Sequence, residues 1–250
     1  MKNYLSMGFG VNSVAMHLHL LDKGVDFESV FVHHGTDWPE TYNYAAGFQW
    51  WLKSRGLRPV TILRPAQRGS RPSGTYDVVY DNLYDHSWGL KMFPSRVSRW
   101  CTDKFKTSVL SRYHKKPCFV FIGYDWDERH RAKITSKSGM EFRWPLIEAD
   151  IGRDGCKQII SDHGLPIPMK SGCYICPFQR VGELRNLRRL HPELFCKLEQ
   201  LENRNNDERK RLGKEPYYSF KRPAREVAEK NIDQSKIWPE DEYPPCQCGL

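Results

Sequence analysis

Cys173-Tyr174-Ile175-Cys176-Pro177 sets two thiols three residues apart in a short segment that ends at a proline. Thiolates at that spacing grip one metal ion or two irons of a cluster, and the proline fixes the turn. A redox dithiol uses the same spacing but opens a helix after a strand, whereas Ser171 to Pro177 reads as a tight loop. A metal site is therefore the expectation. Eight cysteines are present in all, at 101, 118, 156, 173, 176, 196, 246 and 248. Cys118 lies in the apolar run Cys118-Phe119-Val120-Phe121-Ile122 and Cys196 follows Leu194 and Phe195, so both read as buried packing thiols. A closed site wants about four ligands. The segment Cys246-Gln247-Cys248-Gly249-Leu250 can fold back to supply one; Cys248 is the first choice, Cys246 the next, and Cys156 a weaker one.

A second constellation is Ser6-Met7-Gly8-Phe9-Gly10-Val11-Asn12-Ser13. Glycines let the backbone turn and approach a ligand closely, and the free N–H groups of a following helix point at an anion. Ser6, Gly8, Gly10, Asn12 and Ser13 are the candidate nucleotide contacts, with Ser13 adding a hydroxyl and Asn12 capping the helix. The spacing lacks the third glycine of a dinucleotide fingerprint and the Gly-Lys-Ser/Thr of a Walker loop.

The elements that must carry these residues follow from periodicity. Asn3 to Met7 reads as a buried strand, and Asn12 to Lys23 as a helix stopped by Gly24. Phe27 to Val32, Pro59 to Leu63 and Pro117 to Ile122 read as further strands, and Glu40 to Arg55 as a helix closed by Gly56. A short helix is expected near Thr102, a strand at Trp144 to Ile147 and a helix from Gly152 to His163. From Pro65 to Arg99 the pattern dissolves. Strand–helix alternation predicts an α/β fold, a mostly parallel central sheet with helices on both faces. Residues 1–178 form the expected nucleotide-binding domain; 179–250 form a basic helical region with Leu194, Leu198 and Leu201 as a core stripe.

The chain has 250 residues, 39% hydrophobic and 28% charged, with a net charge of +9. That excess favours polyanionic partners, nucleotide, tRNA or DNA, without choosing among them. No run approaches the roughly 18 apolar residues of a membrane span. The first residues are too short and glycine-rich for a signal peptide, so a cytoplasmic protein is expected and a disulfide framework is not.

The order of motifs resembles the adenine nucleotide α-hydrolase superfamily, and within it the sulfonucleotide (PAPS) reductases and their ATP pyrophosphatase relatives. Gly10, Asn12 and Ser13 match the pyrophosphate loop Ser-Gly-Gly-x-Asp-Ser, with Phe9 in place of a glycine and Asn12 in place of Asp. Val32-His33-His34-Gly35-Thr36-Asp37-Trp38-Pro39, Arg99-Trp100-Cys101-Thr102 with Lys106, Ile122-Gly123-Tyr124-Asp125 with Glu128 and Arg131, Pro145-Leu146-Ile147-Glu148, and Ser171 to Phe178 follow in the family's order. The resemblance covers residues 4 to 195.

The resemblance implies His33 and His34 beside the nucleotide and Asp37, Lys106, Glu128 and Arg131 as catalytic positions; residue types agree, since Lys106 and Arg131 suit phosphate and Asp37 a hydroxyl or metal. It adds Cys101 to Cys173, Cys176 and Cys248 as ligands of an iron–sulfur cluster of the 4Fe–4S kind, zinc being the alternative. It implies ATP with Mg, and a DNA-phosphorothioation or tRNA-thiolating sulfurtransferase served by a sulfur donor such as a cysteine desulfurase. Sulfonucleotide (PAPS or APS) reduction is the second reading. Gln247-Cys248-Gly249-Leu250 resembles part of the reductases' Glu-Cys-Gly-Leu-His tail, which would make Cys248 a nucleophile. A nucleotide- and cluster-binding partner subunit without turnover is the third.

Overall fold

The computed structural model describes residues 1–70 and 77–229, so Cys246 and Cys248 lie outside the described residues. The chain order begins β1 (Lys2–Met7), α1 (Val11–Asp22), β2 (Glu28–Val32), α2 (Pro39–Ser54), β3 (Thr61–Leu63), β4 (Gln67–Ser70), β5 (Asp77–Tyr80) and α3 (Leu83–Leu90). It continues with α4 (Trp100–Thr102), a π-turn (Asp103–Thr107), α5 (Ser108–Tyr113), β6 (Cys118–Ile122) and a 3-10 segment (Trp126–Arg131). Then come β7 (Ser136–Lys137), β8 (Met140–Arg143), α6 (Pro145–Glu148), α7 (Arg153–Asp162), α8 (Val181–Leu190), α9 (Pro192–Arg211) and α10 (Ala224–Glu229).

Two compact units divide the chain. The first holds Met1–His33, Pro39–Leu63 and Val109–Ser171. Its sheet runs β3-β2-β1-β6-β8-β7, parallel throughout except for the edge pair β7/β8. Alternation along the strands builds a core on each face, because successive side chains point to opposite sides. Leu5 and Met7 of β1 and Phe31 of β2 pack with Val14, Ala15 and Leu18 of α1, Phe48 and Leu52 of α2, and Cys156 and Ile160 of α7. Tyr4, Val30, Val32, Cys118 and Val120 face the other way, onto Val109 and Leu110 of α5. An α/β fold with a mostly parallel sheet between helices is what these cores enforce.

The second unit holds His34–Trp38, Arg64–Ser108 and Gly172–Leu250. Its core joins Leu184 and Leu187 of α8, Phe195, Leu198 and Leu201 of α9, and Val227 of α10 to Phe105, Tyr174 and Ile175. The expected leucine stripe is core-facing, though Leu194 sits at its partly buried margin.

Four expectations need correction. Trp144 to Ile147 is not a strand; the strand is Met140–Arg143, and Pro145 opens a short helix at a position where its missing N–H costs nothing. The featureless stretch 65–99 contains the antiparallel pair β4/β5 and α3, whose N-cap Asn82 accepts from the Asp85 N–H. Asn12 does not cap α1; Gly10 is the N-cap, and Asn12 is a buried residue of the first turn. Cys196 is exposed on α9, because the buried row runs through Phe195 and Leu198 and leaves residue 196 on the outer face.

Candidate functional site

In the first unit β1 ends at Met7 and the chain turns through Gly8-Phe9-Gly10 into α1. Phe9 has φ of 53°, the left-handed region that ordinarily favours glycine. Its ring is fully buried and meets Phe31 and Phe48 edge-on at 4.9 and 6.2 Å, so aromatic burial offsets the backbone strain. The position where the resembled loop carries glycine thus keeps a glycine-like backbone under a phenylalanine anchor.

Gly10 has no room for a side chain: a Cβ there would lie 2.7 Å from the Ser171 Oγ. Ser13 Oγ accepts from the Gly8 N–H at 3.2 Å and donates to the Gly10 carbonyl at 3.0 Å, which closes the turn. On the other side, a Cβ at Gly123 would come within 3.0 Å of the Ser13 backbone, so the end of β6 packs directly on the start of α1. No side chain at the N-cap occupies the first N–H groups of α1, and its first turn holds no acidic residue. A helix start of this kind offers backbone donors and a positive dipole end to an anion. Ser6 is half-buried in β1 between Val30 and Ile122.

Behind the loop, Asn12 is the hub of a buried network. Its Nδ2 donates to Asp125 Oδ2 at 2.9 Å and to Glu128 Oε2 at 2.8 Å, and its Oδ1 accepts from Arg153 at 2.8 Å. Asp125 Oδ1 accepts from the Glu128 N–H at 3.0 Å, and Glu128 Oε1 from Arg131. Burial pushes both carboxyls above their ordinary range, against the lowering effect of the Asn12 amide on each. Arg131 lies 4.4 Å over the Tyr124 ring. His33 is half-buried and stacks on Tyr42 at 4.3 Å. Arg153 carries no individual sign in the sequence; Gly123, Asp125 and Ser171 stood inside quoted motifs without a role.

In the second unit the strand-like segments 36–38 and 172–174 pair. Trp38 N–H donates to the Gly172 carbonyl at 2.9 Å and Tyr174 N–H to the Thr36 carbonyl at 2.8 Å. Cys176 N–H then closes a turn on the Cys173 carbonyl at 3.0 Å. Cys101, Cys173 and Cys176 line one cavity of about 30 Å³ together with His34, Arg99, Lys106 and Phe178. The sequence brought these three thiols together on resemblance, and the fold does so in space. Cys173 Sγ donates to Thr36 Oγ1 at 3.0 Å, Thr36 Oγ1 lies 2.8 Å from His34 Nδ1, and His34 Nε2 lies 3.3 Å from Asp37 Oδ1. All four residues are buried. Burial raises the Cys173 thiol well above its ordinary range, the Cys176 thiol to about 11, and the Cys101 thiol as well. Buried thiols of this kind are protonated unless a cation replaces the proton.

Cys101, Cys173 and Cys176 are donors of the type a thiolate-bound metal takes, with Arg99 and Lys106 on the same lining, but among the described residues no three His, Cys, Asp or Glu side chains stand in metal-holding geometry. Cys156 is a packing thiol of the first unit's core, pushed up to about 12 by burial.

No protein-family model matches the chain, and no curated protein matches it. Among solved structures it is similar to a phosphoadenylyl-sulfate (PAPS) reductase from Candida auris in a phosphate complex, at 15% sequence identity and a TM-score of 0.42, over 67% of this chain and 75% of that one. No helix among the described residues is long and apolar enough to cross a membrane.

Proposed function

We propose that this chain is an ATP-pyrophosphatase-type sulfurtransferase that adenylates and thiolates a nucleic-acid target, DNA or tRNA. The observation that supports it most is the Gly8–Ser13 turn: a backbone-lined helix start, closed to side chains at Gly10 and flanked by the Ser13 and Ser171 hydroxyls. In this reading the first N–H groups of α1 and the two hydroxyls hold the pyrophosphate moiety of ATP. An oxygen of the target attacks the α-phosphorus and pyrophosphate leaves; a sulfur nucleophile then displaces AMP. Arg131 holds developing phosphate charge, and Glu128 orients it through their ion pair; Lys106 is a further proposed catalytic position. Asp37, held beside His34, is the proposed contact for a hydroxyl.

Cys101, Cys173 and Cys176, completed by Cys248 or Cys246, are the proposed ligands of an iron–sulfur cluster, which when bound supplies sulfur-carrying chemistry. The net charge of +9 suits a nucleic-acid target. The test is product analysis on anaerobically purified protein. Pyrophosphate from ATP, dependent on tRNA or DNA and a sulfur donor such as a cysteine desulfurase, is the expected result. Sulfite from PAPS or APS would replace this reading with reduction. Tight nucleotide binding with neither product would leave a partner subunit.

A further inference from the structure

The network behind the Gly8–Ser13 turn carries an inference about whether residue 12, an asparagine where the resembled loop has aspartate, can help hold a metal ion. Asp125, Glu128 and Asn12 are almost completely buried, at 1%, 7% and 5% exposure. Every carboxylate oxygen of the pair already accepts a hydrogen bond: from the Asn12 amide, the Glu128 N–H or Arg131. The Asn12 carbonyl is taken by Arg153, so the amide is satisfied on both sides. Asp127, the remaining acid nearby, is exposed and accepts from the Arg153 N–H at 3.2 Å. The charges close as well, two carboxylates against Arg131 and Arg153.

We propose that the Asn12 amide does at this corner what a divalent cation would do, bridging two facing carboxylates, so that the loop is braced without a metal and Asn12→Asp alone converts it to a divalent-cation site. The residues present therefore do not fit Mg at position 12. The proposal rests on the nucleotide reading only for its location. An aspartate has the same shape, but the atom replacing Nδ2 would be an oxygen 2.9 and 2.8 Å from Asp125 Oδ2 and Glu128 Oε2. Three oxygens would then converge, with three carboxylates against two guanidiniums. Such a buried excess takes up a proton or a hard cation with oxygen ligands.

The experiment measures Mn²⁺ by electron paramagnetic resonance and thermal unfolding in EDTA or Mn²⁺, on the full chain without nucleotide. Wild type is expected to unfold at the same temperature in both and to bind Mn²⁺ no differently from Asp125→Asn. Asn12→Asp is expected to unfold earlier in EDTA, to recover in Mn²⁺, and to bind Mn²⁺ at least about tenfold more tightly, as one added carboxylate ligand should bring. Asp125→Asn in the Asn12→Asp background should remove that gain. Mn²⁺ held by wild type and lost in Asp125→Asn overturns the proposal, as does an Asn12→Asp chain that folds in EDTA as well as wild type and gains no Mn²⁺. Should Asn12→Asp be insoluble, wild type against Asp125→Asn decides alone: equal Mn²⁺ binding supports the metal-free brace, and a difference refutes it. Nucleotide affinity enters none of these readouts, so a failure here leaves the loop's function to its own test.

Discussion

Phe9 shows how one side chain can reshape a motif without changing its backbone. A left-handed residue costs roughly 1–2 kcal/mol with a β-carbon, whereas emptying a buried aromatic site costs about 3–5 kcal/mol. Phe9→Gly should therefore restore that glycine of the resembled loop and still lose about 1–4 kcal/mol of stability, read from urea unfolding. A gain in stability would mean that the Phe31 and Phe48 contacts contribute little. Ser13 is a different case, because its hydroxyl shapes the turn as well as facing it. Ser13→Ala should weaken nucleotide binding by about 1 kcal/mol, the scale of one hydrogen bond, by calorimetry. Residue types singled out Gly10, Ser13 and the Cys173/Cys176 pair, and the fold puts the first two in one closed turn and both cysteines on one cavity. They concealed Asn12, since an asparagine before a helix suggests a cap and only the fold shows it facing Asp125 and Glu128. Cys196 was misread for a related reason: one residue of helical phase separates the buried row from the outer face.

Elements were legible where burial imposes a period. β1, β2 and β6 are apolar runs because they lie inside a sheet covered on both faces, and their sequence shows it; β3 is an edge strand with Ile62 exposed. α3 was hidden because Leu83–Leu90 is short, includes Ser87 and Gly89, and has no leucine row. Three buried histidines mark element packing and give a pH dependence. His17 on α1, His86 on α3 and His114 after α5 are each pushed down to about 4, foremost by burial. The folded protein holds them neutral while the unfolded chain protonates near 6.5, so stability present at pH 7 is lost as pH falls from about 6.5 towards 4. Each accounts for roughly 1–2 kcal/mol by pH 5. Glu202, raised to about 7 by burial and set against the Ala224 N–H, works the other way, losing stability as pH rises through 4.5 to 7. Asp125 and Glu128, also raised by burial, act in Glu202's sense and His19, lowered, in the other, but the three imidazoles pushed down to about 4 outweigh them. The urea midpoint should fall between pH 7 and pH 5, and His17→Gln should shrink the fall; a midpoint that rises would contradict the assignment.

At the scale of the whole molecule, the two units carry separate proposed parts, a nucleotide loop in one and a thiol-lined metal site in the other, and each can fail separately. Protein purified without oxygen should carry iron that Cys173→Ser or Cys176→Ser removes, while Cys118→Ala, in the sheet core, keeps it. One stoichiometric zinc in colourless protein would exclude the cluster. Deleting residues 245–250 should lower the iron content if Cys248 or Cys246 is a ligand; full iron with sulfite release abolished would make Cys248 a nucleophile. The central claim, that the Gly8–Ser13 turn holds the nucleotide, has a more direct test. Isothermal calorimetry of ATP on wild type and Gly10→Val, with folding of both verified by circular dichroism, should show binding by the first and none by the second, because the added side chain meets Ser171 Oγ and blocks the approach of phosphate to the backbone. Equal ATP affinity in a folded Gly10→Val protein would place the nucleotide elsewhere and contradict the account.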